Sequence, residues 1–177
     1  EQIYERILDR LRATPGISSA TLVTDPLVAG TSSNSTVTLA DGSTRDMYFN
    51  RVGPDYFMTM GIQLIAGRAI DGRDRNDAPR VIVINEAAAT ALFGNARPIG
   101  RRLTIFGTDT EVVGIAHDSK YDSVRYATAP TMFLPFLQTS APLTLGAMYV
   151  VARTNVPPAL VTGGLRTVIA DIDRDVP

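Results

Sequence analysis

The chain has 177 residues, of which 45% are hydrophobic and 20% are charged, and its formal net charge at pH 7 is −1. This length and composition predict a globular domain that buries a sizeable core without disulfides or metals, and they exclude a disordered chain. The charge balance offers no basic field for a nucleic acid, and the absence of cysteine excludes disulfide scaffolds, thiolate metal sites and cysteine nucleophiles.

The first third of the sequence predicts a helix, a strand and a hairpin. An amphipathic helix opens the chain, and its apolar face is formed by Ile3, Ile7, Leu8 and Leu11. Pro15 and Gly16 end this helix. The elements predicted next are a strand at 19–24, a glycine- and serine-rich loop at 29–35, and a hairpin whose strands at 37–39 and 47–52 are joined by Asp41-Gly42.

The middle of the chain predicts a short helix and a buried strand. Pro54 begins one or two helical turns that Gly61 ends. Residues 80–84 form a continuous β-branched apolar run, which is typical of a strand covered on both faces. Asn85 suits the N-cap of a helix at 86–93, and Gly94 suits the position after its end. Further strands are predicted at 62–65, 102–106 and 111–116, with a polar loop at 71–77 and turns at 98–100 and 107–109.

The last third predicts two strands and a helix. Residues 131–136 are predicted to be an edge strand, because Pro135 cannot donate to a central ladder. A second strand follows at 148–153, and Pro157-Pro158 opens a helix with an apolar face of Leu160, Val161, Leu165, Val168 and Ile169. Two βαβ halves flanking an insertion explain this order, each half lacking one outer strand, as in a domain excised from a longer protein. No segment reaches the roughly 20 apolar residues of a membrane span, and no signal peptide is expected.

The motifs of common enzyme classes are absent from the sequence. It contains no nucleophile elbow, Walker loop, zinc-protease motif or dinucleotide-binding glycine motif. A catalytic triad would have to use His117, the sole histidine in the sequence, and Asp118 beside it could be the orienting carboxylate. Because no serine or threonine nucleophile stands in a recognisable context, we interpret His117 as an incidental residue at a strand end.

Two aspartate clusters and one aromatic cluster are candidate binding sites. The first aspartate cluster lies at 71–77 and the second at 171–175, and arginines are interleaved in both. A guanidinium neutralises the site that a cation would need, so we predict solvated loop charge in both. Helical spacing favours core packing over a partner surface for most of Tyr56, Phe57, Met58 and Met60. We therefore predict no catalytic, cofactor-binding or metal-binding residues.

An ordered set of motifs in the middle of the chain resembles the MacB-type periplasmic core domain of MacB/FtsX-like ABC transporter permeases. Flanking stretches at 11–16 and 130–135 agree as well, so that the resemblance covers nearly the whole chain. It is closest to a subgroup of acidobacterial predicted permeases. The motifs that carry it are Val52–Ile62, Gly67-Arg68, Val81–Glu86, Pro98–Arg101, and Glu111–Ile115 with Asp118.

The resemblance implies an α+β fold with two lobes. Residues 1–53 and 127–177 would form a porter-like, ferredoxin-like lobe of two βαβ units with truncated outer strands. Residues 54–126 would form an inserted mixed α/β lobe. We hypothesise a hinge between the lobes near 51–54 and 126–130, where Gly53, Pro54 and Pro130 punctuate the chain.

The resemblance also implies a function that is not catalytic. The domain would lie in the periplasm as part of an inner-membrane permease, and it would couple cytoplasmic ATP hydrolysis to export or to envelope partners by mechanical transmission. Its implied partners are a cytoplasmic ABC ATPase subunit or domain reached through the transmembrane part, a periplasmic adaptor protein and a second copy of the permease. No cofactor and no nucleic acid are expected. The alternatives are an extracytoplasmic ligand- or partner-binding regulatory module without transport, and a free-standing enzyme built around His117 and the aspartates.

Overall fold

The structure, a computed structural model, describes residues 2–26, 33–119, 128–138 and 148–172. Within these residues no helix is long and apolar enough to cross a membrane. The described helices are α1 (Gln2–Arg12), α2 (Tyr56–Met60), α3 (Glu86–Phe93) and α4 (Pro158–Ile172), and a single 3-10 turn covers Phe136–Gln138. The described strands are β1 (Ile17–Val23), β2 (Ser33–Thr38), β3 (Thr44–Val52), β4 (Leu64–Gly67), β5 (Val81–Asn85), β6 (Arg102–Ile105), β7 (Thr108–Ala116), β8 (Thr131–Pro135) and β9 (Tyr149–Thr154).

Six strands close on themselves in the order β2-β6-β7-β5-β8-β3, with β3 pairing back to β2. The pairs β3–β8 and β5–β7 are parallel, and the other four pairs are antiparallel. We call these six strands the closed sheet. Its core includes Val37, Met47, Ile82, Ile84, Leu103, Ile105, Val112 and Met132. Helix α3 follows the end of β5 and adds Ala88 and Leu92 to the same core.

A second core lies outside the closed sheet, where side chains of α2 pack with Val83 of β5 and Phe133 of β8. Tyr56, Phe57 and Phe133 pack together with ring centroids 5.1 to 5.4 Å apart, and all three are buried. Core packing is therefore confirmed for Tyr56 and Phe57, whereas Met58 is 61% exposed. β4 extends this layer by pairing with the second half of β7.

A third layer is formed by β1, β9 and the two terminal helices of the described chain. β9 pairs with β1 along its length, while β1 joins the closed sheet through a single pair, Val23 with Val52 of β3. Helices α1 and α4 cover one face of this ribbon, with Leu11 and Leu22 fully buried between them.

The predicted local signals at α3 are confirmed. The side chain of Asn85 accepts a hydrogen bond from the N–H of Ala88 at 2.9 Å, as an N-cap does. Gly94 has a φ of +55°, and its N–H donates to Thr90 O after the last helical residue.

The prediction that residues 131–136 form an edge strand is wrong. β8 lies between β3 and β5, and all five of its residues are buried. Pro135 is tolerated because it is the last residue of the strand, opposite Val52 at the end of β3, while β5 pairs only with Met132 and Phe133.

The apolar faces of both terminal helices are shifted from the predicted ones. Ile3 is 43% exposed and Leu160 is 75% exposed. In α1 the inner stripe is Tyr4, Ile7, Leu8 and Leu11, and in α4 it contains Val161, Leu165 and Val168. The backbone of Ile169 belongs to α4, but its side chain lies outside the described part of the structure.

The predicted α+β class is confirmed, with helices packed on one mixed sheet. Hydrogen-bonded pairs join the stretches assigned to the two lobes, since β5 pairs with β8 and β6 pairs with β2. The division into lobes at 54–126 remains a prediction about which parts move.

Candidate functional site

His117 lies at the end of β7, beside the start of α3. Its Nδ1 is 3.1 Å from Oε2 of Glu86, and the N–H of Asp118 donates to the same oxygen at 3.0 Å. The Asp118 hydrogen bond and, to a smaller extent, His117 lower the pKa of the Glu86 carboxyl. Asp118 does not orient the imidazole, because its carboxylate accepts from the N–H of Ala87 at 3.1 Å. The Asp118 carboxylate thus satisfies an N–H in the first turn of α3, and the cluster of Glu86, His117 and Asp118 contains no hydroxyl or thiol nucleophile.

The aspartate-rich loop at 71–77 is held by arginine side chains. Asp74 is 2% exposed, and its two carboxylate oxygens accept from Arg68 at 2.7 and 2.9 Å. Asp71 accepts from Arg73, and this hydrogen bond is the largest cause of a lowered pKa of about 2 for Asp71. Across the described ranges no three acidic or histidine side chains lie close enough together to hold a metal ion.

Helices α1 and α4 pack against each other on the β1–β9 ribbon. Leu165 and Val168 of α4 pack on the core that contains Ile7 and Leu11 of α1. At the exposed side, Arg10 Nη1 lies 3.5 Å from Asp171 Oδ2. Asp171 is the first residue of the second predicted aspartate cluster, and Asp173 and Asp175 lie outside the described residues.

Two ion pairs join α1 to the segment predicted as the inserted lobe. Arg12 Nη2 lies 2.8 Å from Asp55 Oδ2, and Arg75 Nη2 lies 2.7 Å from Glu5 Oε1. We call these four residues the α1 seam. They line an open groove of about 430 Å³ between α1 and the loops at 54–55 and 71–75.

Asp55, a member of the α1 seam, has a strained backbone conformation. Asp55 has a φ of +64°, and although it precedes α2, its side chain makes no capping hydrogen bond. The carboxylate turns to Arg12 instead. Non-glycine residues with positive φ persist where the surroundings hold them, and they concentrate at functional sites.

Asn50 joins β1 to the closed sheet. Its side chain is fully buried; Oδ1 accepts from the N–H and hydroxyl of Thr24 and from the N–H of Asp25, while Nδ2 donates to Asp25 O. Next to it, the N–H of Gly53 donates to Leu22 O at 2.8 Å. The Asn50 bonds supplement the single ladder pair between β1 and β3, whose own backbone hydrogen bonds run from Gly53 N–H to Leu22 O and from Thr24 N–H to Arg51 O. We call this group of contacts the Asn50 joint.

A cavity of about 270 Å³ opens at the end of the closed sheet opposite α3. The strands β3, β6 and β8 end there, and β5 and β7 begin there. Its apolar wall contains Val81, Ile105, Leu134 and Pro135, and its polar lining contains Arg51, Arg80, Thr108, Thr110 and Gln138. We call this cavity the mouth of the closed sheet. Ligand sites commonly occupy such positions.

The rim of the mouth carries an exposed aromatic residue on a tight turn. Phe106 is 53% exposed, has a φ of +50°, and precedes Gly107 with a φ of +73°. The Phe106 ring stands edge-to-face on Phe49 at 5.3 Å, and the Arg51 guanidinium carbon lies 5.6 Å from the Phe106 ring centroid.

Comparison with solved structures identifies the class of fold. The periplasmic region of MacB from Actinobacillus actinomycetemcomitans matches with a TM-score of 0.71 and 18% identity, over 96% of this chain and 73% of that one. The extracellular domain of the noncanonic ABC-type transporter YknZ from Gram-positive bacteria matches with a TM-score of 0.66 and 18% identity, over 95% and 82%. The chain thus has the fold of these two extracytoplasmic regions of transporters.

A family model described as the MacB-like periplasmic core domain matches residues 3–168, and the chain belongs to that family. The resemblance predicted from the ordered motifs is therefore confirmed. The macrolide export ATP-binding/permease protein MacB of Aggregatibacter actinomycetemcomitans is 27% identical over 90 residues, which are 51% of this chain and 14% of that protein. MacB 1/2 of Paracoccus denitrificans (strain Pd 1222) is 28% identical over 126 residues, 70% of this chain and 19% of that protein. The matched segments thus span less than a fifth of the length of these relatives.

The residues of the α1 seam, the Asn50 joint and the mouth were not predicted as a site. Arg12 and Asp55 are 43 residues apart in the sequence, and Glu5 and Arg75 are farther apart still. Scattered single charges carry no local motif. The one usable signal is Gly-Pro-Asp at 53–55, which marks a constrained turn before a short helix.

Proposed function

We propose that this chain is the extracytoplasmic domain of an inner-membrane ABC transporter permease. In this proposal it transmits movements driven by cytoplasmic ATP hydrolysis to an exported substrate or to an envelope partner. Membership of the MacB-like periplasmic core domain family supports it, as do curated relatives named ATP-binding/permease proteins. The sequence has no nucleotide-binding motif, so the ATPase would be a cytoplasmic subunit or domain reached through a transmembrane part. A periplasmic adaptor and a second copy of the permease are further proposed partners.

The observation that carries this proposal is that α1 contacts two parts of the molecule at once. One face packs with α4 on the β1–β9 ribbon, and the α1 seam ties the same helix to the loops of segment 54–126. A displacement of α1 and α4 would therefore reach the closed sheet by two routes, the α1 seam and the Asn50 joint. No catalytic residue is assigned, because such a role needs contacts and not chemistry.

The proposed hinge at 51–54 is consistent with these contacts. Gly53 is hydrogen-bonded to Leu22, and a Cβ at Gly53 would lie 3.1 Å from both Leu22 N and Thr21 Oγ1. Any rotation at this position therefore moves β1 with it. The second hinge segment is described only for residues 128–130.

The test uses the full-length permease reconstituted with its ATPase in proteoliposomes. The 177 residues contain no cysteine, so Arg97→Cys and Leu160→Cys supply two exposed spin-label sites within this domain, one in each proposed lobe. We expect the distance distribution between the labels to differ between the nucleotide-free and the ATP-bound transporter. Identical distributions in every nucleotide state would overturn mechanical transmission.

Charge reversal at the α1 seam distinguishes transmission from a passive attachment. In the labelled background, Arg12→Glu should reduce the ATP-dependent distance change while ATP hydrolysis continues, because the seam then holds two like charges. The matched double variant, Arg12→Glu with Asp55→Arg, should restore the change. A distance change that is the same in all three proteins would show that the seam takes no part.

A regulatory binding module is the second candidate function, and the mouth of the closed sheet favours it. The mouth is open, partly apolar and lined by two arginines. A ligand that binds there and alters ATP hydrolysis, in a protein whose label distances never change, would favour regulation over transmission.

A further inference from the structure

The polar groups that line the mouth are largely engaged within the protein. Gln138 Oε1 accepts from the N–H of Val81, and Gln138 Nε2 donates to Arg75 O and Pro79 O. The hydroxyl of Thr110 donates to Thr108 O. The guanidinium groups and the Thr108 hydroxyl are therefore the side-chain donors at the mouth that remain for a bound molecule.

Neither arginine at the mouth is paired with a carboxylate among the described residues. The Arg51 guanidinium contacts the Phe106 ring, and Arg80 makes an exposed hydrogen bond to the amide oxygen of Asn76. The acidic residues of the adjoining strand, Asp109 and Glu111, are both ion-paired with Arg102.

The positive charge at the mouth is costly to the protein without a counter-charge. Arg51 is half-buried, and burial, with a smaller contribution from Arg80, lowers the pKa of its guanidinium. An arginine nevertheless stays protonated at neutral pH. Two guanidinium groups that face one cavity, with no carboxylate beside them in the described part of the chain, form an arrangement that an anion would stabilise.

We propose that the mouth of the closed sheet binds a small organic anion whose charged group contacts Arg51 and Arg80 and whose apolar body lies against Ile105, Leu134 and Phe106. A planar carboxylate matches the donor geometry of a guanidinium. The apolar wall and the exposed Phe106 ring would cover an aromatic or aliphatic body. A body of about two fused rings would suit an open cavity of about 270 Å³. This inference does not depend on mechanical transmission.

The experiment titrates the purified chain with 2-naphthoate and, in parallel, with the neutral 2-naphthamide, using isothermal calorimetry. We expect 1:1 binding of the anion and at least about tenfold weaker binding of the amide, because the amide lacks the charge-assisted hydrogen bonds. The double variant Arg51→Gln with Arg80→Gln should bind 2-naphthoate more weakly by a similar factor. Arg45→Gln, on the same strand as Arg51 but exposed and outside the mouth, is the matched control and should bind as the parent does.

A second measurement needs no variant. In the unmodified chain, 2-naphthoate should shift the backbone amide resonances of Gly107 and Thr108 at the rim before those of α4. The proposal is overturned if there is no saturable binding, if the anion and the amide bind equally, or if the shifted amides lie away from the mouth. It is also overturned if phosphatidylglycerol vesicles bind through Arg51 and Arg80 while no soluble anion binds there. An acidic segment of a partner protein that displaces 2-naphthoate would identify a competitor for the same site and would support the anion-binding chemistry.

Discussion

Asp55 and Phe106 are the two non-glycine residues with positive φ in the described part of the chain, and each lies at the rim of an open cavity. Asp55 directs its carboxylate to Arg12 in the α1 seam, and Phe106 projects its ring over Arg51 at the mouth. A left-handed backbone costs such residues about 1–2 kcal/mol each. The contacts that hold them there coincide with the two places where we propose a function.

Gly67 is the residue whose backbone tolerates substitution least. It has a φ of +74°, and an added Cβ would collide with the carbonyl oxygen of Val113 and lie 2.9 Å from Gly114 Cα. Gly67 therefore combines a positive φ with a close approach of the neighbouring strand backbone. Replacement therefore faces a conformational penalty and a backbone clash together.

We predict that Gly67→Ala lowers the free energy of unfolding by about 2 kcal/mol more than Gly100→Ala does. Gly100 is the matched control, because its φ is +81° but a Cβ there meets nothing within 4 Å. Urea unfolding followed by circular dichroism measures both. Equal losses in the two variants would show that the strand β7 moves away from Gly67 at little cost.

At the scale of elements, β1 is attached to the closed sheet mainly through one buried side chain. The ladder between β1 and β3 has a single pair, and the side chain of Asn50 supplies the further hydrogen bonds to Thr24 and Asp25. A truncated side chain removes the Asn50 partner of the Thr24 hydroxyl and of the N–H and C=O of Asp25, whereas the Thr24 N–H still donates to Arg51 O.

We predict that Asn50→Ala lowers the free energy of unfolding by about 2–4 kcal/mol, because a buried hydrogen-bond network is broken. Hydrogen exchange should show the largest loss of protection in β1 and β9, with β5 and β7 retaining theirs. Asn34→Ala, at an exposed position of β2, is the control and should change stability by less than about 0.5 kcal/mol. Uniform loss of protection across all strands would mean that β1 and the closed sheet unfold as one unit.

Elements with local signals could be predicted from the sequence, whereas the pairing between them could not. Asn85 and Gly94 mark the two ends of α3 through contacts within four residues, so these two residue types were enough to predict where the helix begins and ends. Pro135 was misleading, because its effect depends on where the neighbouring strands end and not on its own strand. The closure of six strands depends on such long-range pairs, as does the meeting of Arg12 with Asp55.

For the whole molecule, the α1 seam crosses between the regions that we propose to move, so its ion pairs should hold in the state of the transport cycle in which they transmit movement and be weak enough to open in another. The side chains of Arg12 and Asp55 are 35% and 40% exposed, and those of Arg75 and Glu5 are 46% and 34% exposed. Ion pairs with this exposure contribute little to stability and are screened by salt. By contrast, the Asn50 joint is buried and should persist through the movement.

We predict that a double-mutant cycle with Arg12→Gln and Asp55→Asn gives a coupling energy below about 1 kcal/mol, measured by urea unfolding. The coupling should fall further between 0.05 and about 0.5 M salt, because the Debye length then becomes shorter than about 10 Å. A coupling of about 3 kcal/mol or more, independent of salt, would mark the seam as a rigid joint. In that case α1 and segment 54–126 would move as one body, and the proposed movement would have to occur at the β1–β3 junction instead.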